Sequence, residues 1–302
     1  MQYRLLLSFI LLLTIKNVAA QSTPSVVVSI KPIHSIVSAL MSGIAEPQLL
    51  LKSNNSAHTF HLKPSQIRML TNADLVIIIS EDFESGLRKA IKNIENDSLF
   101  QITSLGNLNI HKSRSEILYS KEHEEHEEHE ESIYDLHLWL DINNTKLIAK
   151  HISELLIKID PINEAKYNNN FLELMLDLEE LKIDLKKEIA PFLNRQFAVF
   201  SDTTQYFEKS MNFLRPIIIT PYHGARLSII RTLMAKEAMS DLSVSCLLYG
   251  QEAKPNQISV LLEGLSLKTF EIDIMGTKYP AGPDQYFNLM KRISSQLASC
   301  LK

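Results

Sequence analysis

Residues 160–191 read DPINEAKYNNNFLELMLDLEELKIDLKKEIAP. Asp160 followed by Pro161 is a helix-start signal: an Asp side chain accepts orphan amide hydrogens, and proline suits the first helical position. Tyr167, Phe171, Leu174, Leu178, Leu181, Leu185 and Ile189 then recur every three or four residues until Pro191. The spacing predicts one helix of about thirty residues, roughly 45 Å long. Its apolar seam is too brief and isolated for a coiled coil, so it reads as a backbone helix bridging two lobes.

On both sides of this helix, short apolar runs alternate with helical patterns. Upstream, Val26–Ile30, Gln48–Leu51 and Leu75–Ser80 read as strands, and 33–41, 64–71 and 83–93 as helices. Downstream, Phe197–Phe200, Pro216–Thr220, Val244–Tyr249 and Phe270–Ile274 read as strands, with helices near 225–237, 256–264 and 283–300. Continuous apolar strands separated by helices argue for α/β lobes of mostly parallel sheet, covered on both faces. The expected organisation is an N-terminal lobe over 21–159, the connecting helix over 160–191 and a C-terminal lobe over 192–302. Ligands of such sheets sit beyond the carboxyl ends of the strands, here in the interlobe cleft.

The first twenty residues stand apart. A positive start at Met1–Arg4, eleven mostly apolar residues at Leu5–Ile15 and small residues at Val18–Ala20 form a secretory signal cut after Ala20. Eleven helical residues rise only about 16 Å, too little to span a bilayer. The mature chain is expected to be exported and soluble, in the periplasm. The 302 residues carry 31 Lys and Arg against 35 Asp and Glu. No basic excess exists to neutralise phosphates, which argues against nucleic acid as a partner. Once Arg4 and Lys16 leave with the signal, the segment Lys121–Glu131 (KEHEEHEEHEE), with seven Glu and one Lys, accounts for all the net negative charge.

Two cysteines, Cys246 and Cys300, are an even, isolated pair that forms a disulfide in an oxidising compartment. The rival readings are two buried thiols or metal ligands, though without a C-x-x-C partner they make a poor zinc site. Among ten histidines, His123, His126 and His129 lie in the acidic segment at a spacing of three. A mobile loop alternating imidazoles and carboxylates suits zinc or a similar borderline divalent ion at low affinity. His58, in Ser56–Ser65, and His137, in Asp135–Asp141, fall where cleft loops are expected; each alone reads sooner as a hydrogen-bonded structural histidine than as a ligand.

These segments together resemble the metal-binding subunits of bacterial ABC importers, specifically the zinc-binding ZnuA-like branch. The points of match are Ser29–Ile36, Ser56–Ser65, the His/Glu-rich insert, Asp135–Asp141, Val199–Glu208 and the terminal cysteine pair. The resemblance spans the mature chain. It implies a metal held in the cleft by histidines plus a carboxylate or water, with His58 and His137 as first and second ligands. The position of the third family histidine is Ser201 here, and Ala57 precedes His58 where the family often has Pro or Glu. Asp273 matches an acidic position of the family and is the first choice to complete the set. His34, His61 and His223 are further candidates, as ligands or as supporting hydrogen-bond donors.

The function implied is capture of zinc outside the inner membrane and delivery to an ABC permease, by a monomer that is not an enzyme. A set with fewer imidazoles is harder and more tolerant of Mn²⁺ or Fe²⁺. Imidazole must be deprotonated to bind, so affinity should fall below about pH 6.5. The alternatives are a manganese- or iron-binding homologue, and a metal buffer or adhesin uncoupled from import. A metallohydrolase built on Ser201, Asp202 and His137 is a weaker rival, and no GxGxxG, P-loop or G-x-S-x-G motif is present.

Overall fold

The computed structural model describes residues 23–51, 60–114, 134–220 and 227–302. The signal segment, His58, His123, His126, His129 and His223 lie outside them. The described chain is built on two four-stranded parallel sheets and one small antiparallel hairpin. The first sheet comprises β1 (Val26–Val28), β2 (Gln48–Leu49), β3 (Leu75–Ile78) and β4 (Leu99–Gln101), in the order β2-β1-β3-β4. The hairpin is β5 (His111–Lys112) with β6 (Tyr134–Asp135), His111 opposite Asp135. The second sheet comprises β7 (Ala198–Ser201), β8 (Ile217–Thr220), β9 (Cys246–Tyr249) and β10 (Lys268–Glu271), in the order β10-β9-β7-β8. Both sheets thus place their first strand between their second and third. Ligand crevices of open α/β sheets form where the order reverses, between first and third strands.

Helices α1 (Lys31–Leu40), α2 (Pro64–Thr71), α3 (Arg88–Ile91) and α4 (Ile142–Ile159) belong to the first half. The second half carries α6 (Gln205–Met211), α7 (Ile229–Asp241), α8 (Pro255–Leu262) and α9 (Gln285–Leu301), and α5 (Glu164–Ile189) joins the two. The 26 α-helical residues of α5 span about 39 Å, flanked by 3₁₀ turns at Pro161–Asn163 and Ala190–Phe192. Asp160 does not cap amides with its side chain. Its carboxylate instead accepts from the Asn163 side-chain Nδ2 at 2.8 Å and the Tyr167 hydroxyl at 3.0 Å. Along the expected seam Phe171 is only half-buried, while Asn170 is buried and donates to the carbonyls of Leu40 and Ser42, which end α1.

The two sheets are not independent bodies. One continuous apolar core runs from β1 and β3 through α1, α4, α5 and α9 to Val199, Ile218, Cys246 and Leu248 on the inner face of the second sheet. The alternate residues Phe200, Ile217, Ile219 and Leu247 face a separate cluster beneath α7 and α8. That alternation is the two-residue period of strands. α9 packs against α1, α5, β9 and β10, and so ties both halves to the long helix.

Most expected elements shift by a residue or two at their ends, and three depart further. The strand expected over Phe270–Ile274 is Lys268–Glu271, because the carboxylate of Asp273 accepts the amides of Met275 and Thr277 and turns the chain. The helix expected near 225–237 starts at Ile229, where the Ser228 hydroxyl accepts the Arg231 amide. The helix expected over 83–93 is a 3₁₀ turn, Ser85–Leu87, and the four residues of α3. Gly86 lies so close to Phe60 that a Cβ there would meet the Phe60 carbonyl oxygen at 2.3 Å.

Glu84 stitches the first sheet at its point of reversal. Fully buried, it accepts from the Ser29 hydroxyl at 2.5 Å and from the amides of Ile79 and Ser80 at 3.1 and 3.0 Å. Burial raises its carboxyl to about 7 in spite of these three donors. A carboxyl raised in the fold contributes most below its unfolded value, and that contribution is lost as pH rises through about 7. Stability should therefore fall by about 3 kcal/mol between pH 4.5 and 7 from this group. Urea titrations across that range should show the slope in the wild type and its loss in Glu84→Gln.

Cys246 and Cys300, 54 positions apart in sequence, form a disulfide, as the sequence leads one to expect, with Cα atoms 5.5 Å apart. It binds β9 to α9 inside the continuous core. Reduction, or Cys300→Ser, should cost about 2–4 kcal/mol. Calorimetry with and without reductant would show a lowered melting temperature, and no change would contradict this role.

Candidate metal centre

β6 ends at Asp135, and the chain then turns through His137 into a 3₁₀ turn, Leu138–Leu140. One carboxylate oxygen of Asp135 accepts both the His137 backbone amide, at 3.0 Å, and its ring Nδ1–H, at 2.7 Å. The other accepts from the Gln205 side-chain amide at 3.3 Å. This network assigns the proton to Nδ1 and turns the Nε2 lone pair away from Asp135. A carboxylate behind an imidazole fixes the ring's tautomer and raises its basicity as a ligand. Burial alone would raise the Asp135 carboxyl, but the His137 ring and the hydrogen bonds around it hold it below the usual carboxylate range.

The surroundings of His137 are dry. Its residue exposure is 9%, with the Phe83 ring edge-on at 5.6 Å and the Trp139 ring at 5.4 Å. Trp139 also reaches across the molecule: its indole N–H donates to the Ile274 carbonyl at 2.9 Å. The His137 segment is thereby held against the turn that carries Asp273. That turn is fixed from two further directions. Lys31 donates to the carbonyls of Thr277 and Tyr279, both at 2.9 Å, and the Gln285 amide to those of Met275 and Gly276. The Asp273 carboxylate also accepts the Thr277 hydroxyl at 2.7 Å. Gly276 sits at φ +61°, and a Cβ there would come within 2.3 Å of the Gln285 amide nitrogen, so glycine is required.

The remaining candidates occupy different settings. Ser201, at the carboxyl end of β7, is buried, and its hydroxyl meets that of Thr220 on β8 at 3.1 Å. Thr220 in turn donates to the Phe200 carbonyl at 2.7 Å. His34 lies inside α1 with both ring nitrogens engaged, Nε2 with the Pro47 carbonyl at 2.9 Å and Nδ1 with the Ser38 hydroxyl at 3.3 Å. Burial holds its ring below the usual imidazole range, against the pull of that carbonyl and of Glu46. His61 is exposed, three residues ahead of α2. Among the described residues no three His, Cys, Asp or Glu side chains form a metal-sized cluster. The structure thus brings the His137 and Asp273 segments together, while His34 is committed to backbone and hydroxyl partners.

Two contributors were not singled out by the sequence reading. Asp135 was visible in principle, since an acid two residues ahead of a histidine can bond both its amide and its ring. Gln205 comes from α6, 70 residues away, and carries no local signal.

The chain matches, over residues 26–300, the family described as zinc-uptake complex component A, periplasmic (ZnuA). It is 29% identical over 311 residues to the high-affinity zinc uptake system protein ZnuA of Brucella abortus, covering 91% of each chain. A crystal structure of ZnuA superposes with TM-score 0.76 at 19% identity, covering 93% of this chain and 100% of that one. The solute-binding protein FpvC of Pseudomonas aeruginosa, in complex with Mn²⁺, has TM-score 0.76 at 14% identity, covering 93% and 99%. Among the described residues no helix is long and apolar enough to cross a membrane. The chain belongs to the ZnuA family of periplasmic metal-binding, solute-binding proteins, which are carriers and not enzymes.

Proposed function

We propose that this chain captures zinc between its two halves and passes it to the permease of an ABC importer. The observation that carries the reading is the buried Asp135–His137 pair, set beside the Asp273 turn by the Trp139–Ile274 hydrogen bond. In this reading His137 Nε2 and the Asp273 carboxylate bind the ion together with His58, which lies outside the described residues. Asp135 holds the Nδ1–H tautomer and aims Nε2, and the aromatic walls exclude competing water. His123, His126 and His129 collect metal at low affinity outside the cleft. His61 and His223 are secondary candidates for the remaining coordination position.

The lobes of the proposed carrier are 21–159 and 192–302, held by the 160–191 helix, and a secretory signal ending at Ala20 sends the chain to the periplasm. The continuous core between the two sheets supports small adjustments around the ion rather than a wide opening. Ser201 favours a second reading of the cargo. With its hydroxyl bonded to Thr220, the site has a serine where the resembled family has an imidazole, and the harder donor set suits Mn²⁺ or Fe²⁺ better than three histidines do.

Zinc titration against a competing chelator tests the site. His137→Ala should weaken binding by about a hundredfold and Asp135→Asn by about ten- to a hundredfold. Unchanged affinity in His137→Ala would remove the cleft assignment. Ser201→His should tighten zinc by about tenfold relative to Mn²⁺ if position 201 faces the ion. Equal affinities for both metals in wild type and variant would place Ser201 outside the site.

A further inference from the structure

Arg114 is the last described residue before the His/Glu-rich segment, and it reaches into the other half of the molecule. Its side chain, 11% exposed, forms a buried ion triad with Asp202 and Glu208, whose side chains are each 2% exposed. Its Nε lies 3.0 Å from both Asp202 oxygens, its backbone amide donates to Asp202 at 3.2 Å, and Nη1 donates to Glu208 at 2.8 Å. Nη2 adds a further contact with Asp202. Glu208 is held in turn by the Thr204 hydroxyl at 2.6 Å.

The same turn of α6 grips the rest of the hairpin. Gln205 donates to the Lys112 carbonyl at 3.1 Å and to the Asp135 carboxylate. Tyr206 donates its hydroxyl proton to the Asp135 carbonyl at 2.6 Å and accepts the His111 amide at 3.1 Å, under the His111 ring at 4.8 Å. Residues 202–208 therefore anchor both hairpin strands, and one of those strands ends in the carboxylate that orients His137. Two residues alone cannot hold a two-stranded ribbon in place, since isolated hairpins are marginal in water. A guanidinium bidentate on one carboxylate and bonded to a second supplies strength and direction that a lysine cannot.

The geometry points to Arg114 as a positioning residue for metal retention: by clamping the β5–β6 hairpin to α6 it fixes Asp135, and through Asp135 the imidazole of His137. This rests on the metal-carrier reading above, and it adds a residue that touches no ion. Arg114→Lys keeps the charge and loses the fork, and Asn170→Ala serves as a control that removes buried hydrogen bonds in α5 remote from the hairpin.

Two measurements on the full chain separate the claims. In metal-free protein, amide exchange at 111–114 and 134–137 should be about tenfold faster in Arg114→Lys and unchanged in Asn170→Ala. In zinc-loaded protein, release into excess chelator should be about tenfold faster in Arg114→Lys, with the association rate near that of wild type. Unchanged hairpin exchange overturns the clamp whether or not zinc binds. Faster exchange with unaltered zinc release overturns the link to His137. Faster hairpin exchange in Arg114→Lys, with the wild-type chain itself failing to retain zinc, leaves the clamp standing and overturns the carrier reading.

Discussion

One hydrogen bond, from the Trp139 indole to the Ile274 carbonyl, joins the two segments of the proposed metal site. Trp139 is fully buried, and its own carbonyl accepts from the Tyr286 hydroxyl at 2.8 Å. A buried indole N–H without a partner would carry a desolvation penalty of about 1–3 kcal/mol. The turn after β10 therefore has to lie against the 3₁₀ turn after His137 for the core to close. Lys31 and Gln285 bind the same turn from α1 and α9, so three other elements of the fold set its position.

That arrangement follows from the repeated topology. Each half is a parallel sheet with its first strand between second and third, and each needs helices on both faces. The first half closes its point of reversal with the buried Glu84, which occupies the strand ends as a hydrogen-bond acceptor. The second half presents Ser201 and Asp202 there, and Asp202 is spoken for by Arg114. The proposed site lies between the 3₁₀ turn that follows the first half's hairpin and the second half's 273–277 turn, which the Trp139–Ile274 bond joins. The continuous core, with α9 packed on the long helix, ties the two halves together.

Much of the framework was legible in the sequence because it rests on local periodicity. The runs around Val26, Leu75, Ala198 and Ile217 are continuous and apolar, and all are buried strands. α2 occupies 64–71 as expected, since Pro64 starts it cleanly. α4 escaped the reading although its signal was present: Asp141 caps the Asn143 amide, and Ile148, Ile152 and Leu156 follow at helical spacing. The β5–β6 hairpin left no trace, because two residues per strand give no period to read and its partners lie on α6. The role of Asp135 and the Arg114 triad depend on contacts across 70 to 94 residues, which a pattern search along the chain cannot see. Family resemblance, by contrast, pointed to His137 and Asp273 from motif position alone.

The central claim is that a divalent ion binds at His137 Nε2, at the edge of the ring away from Asp135. The most direct measurement is diffraction from zinc-soaked crystals at energies on either side of the zinc absorption edge. The account predicts an anomalous peak about 2.0–2.1 Å from His137 Nε2, with an Asp273 oxygen in the same coordination sphere. A peak lying elsewhere, with the His137 ring away from any metal, would contradict it.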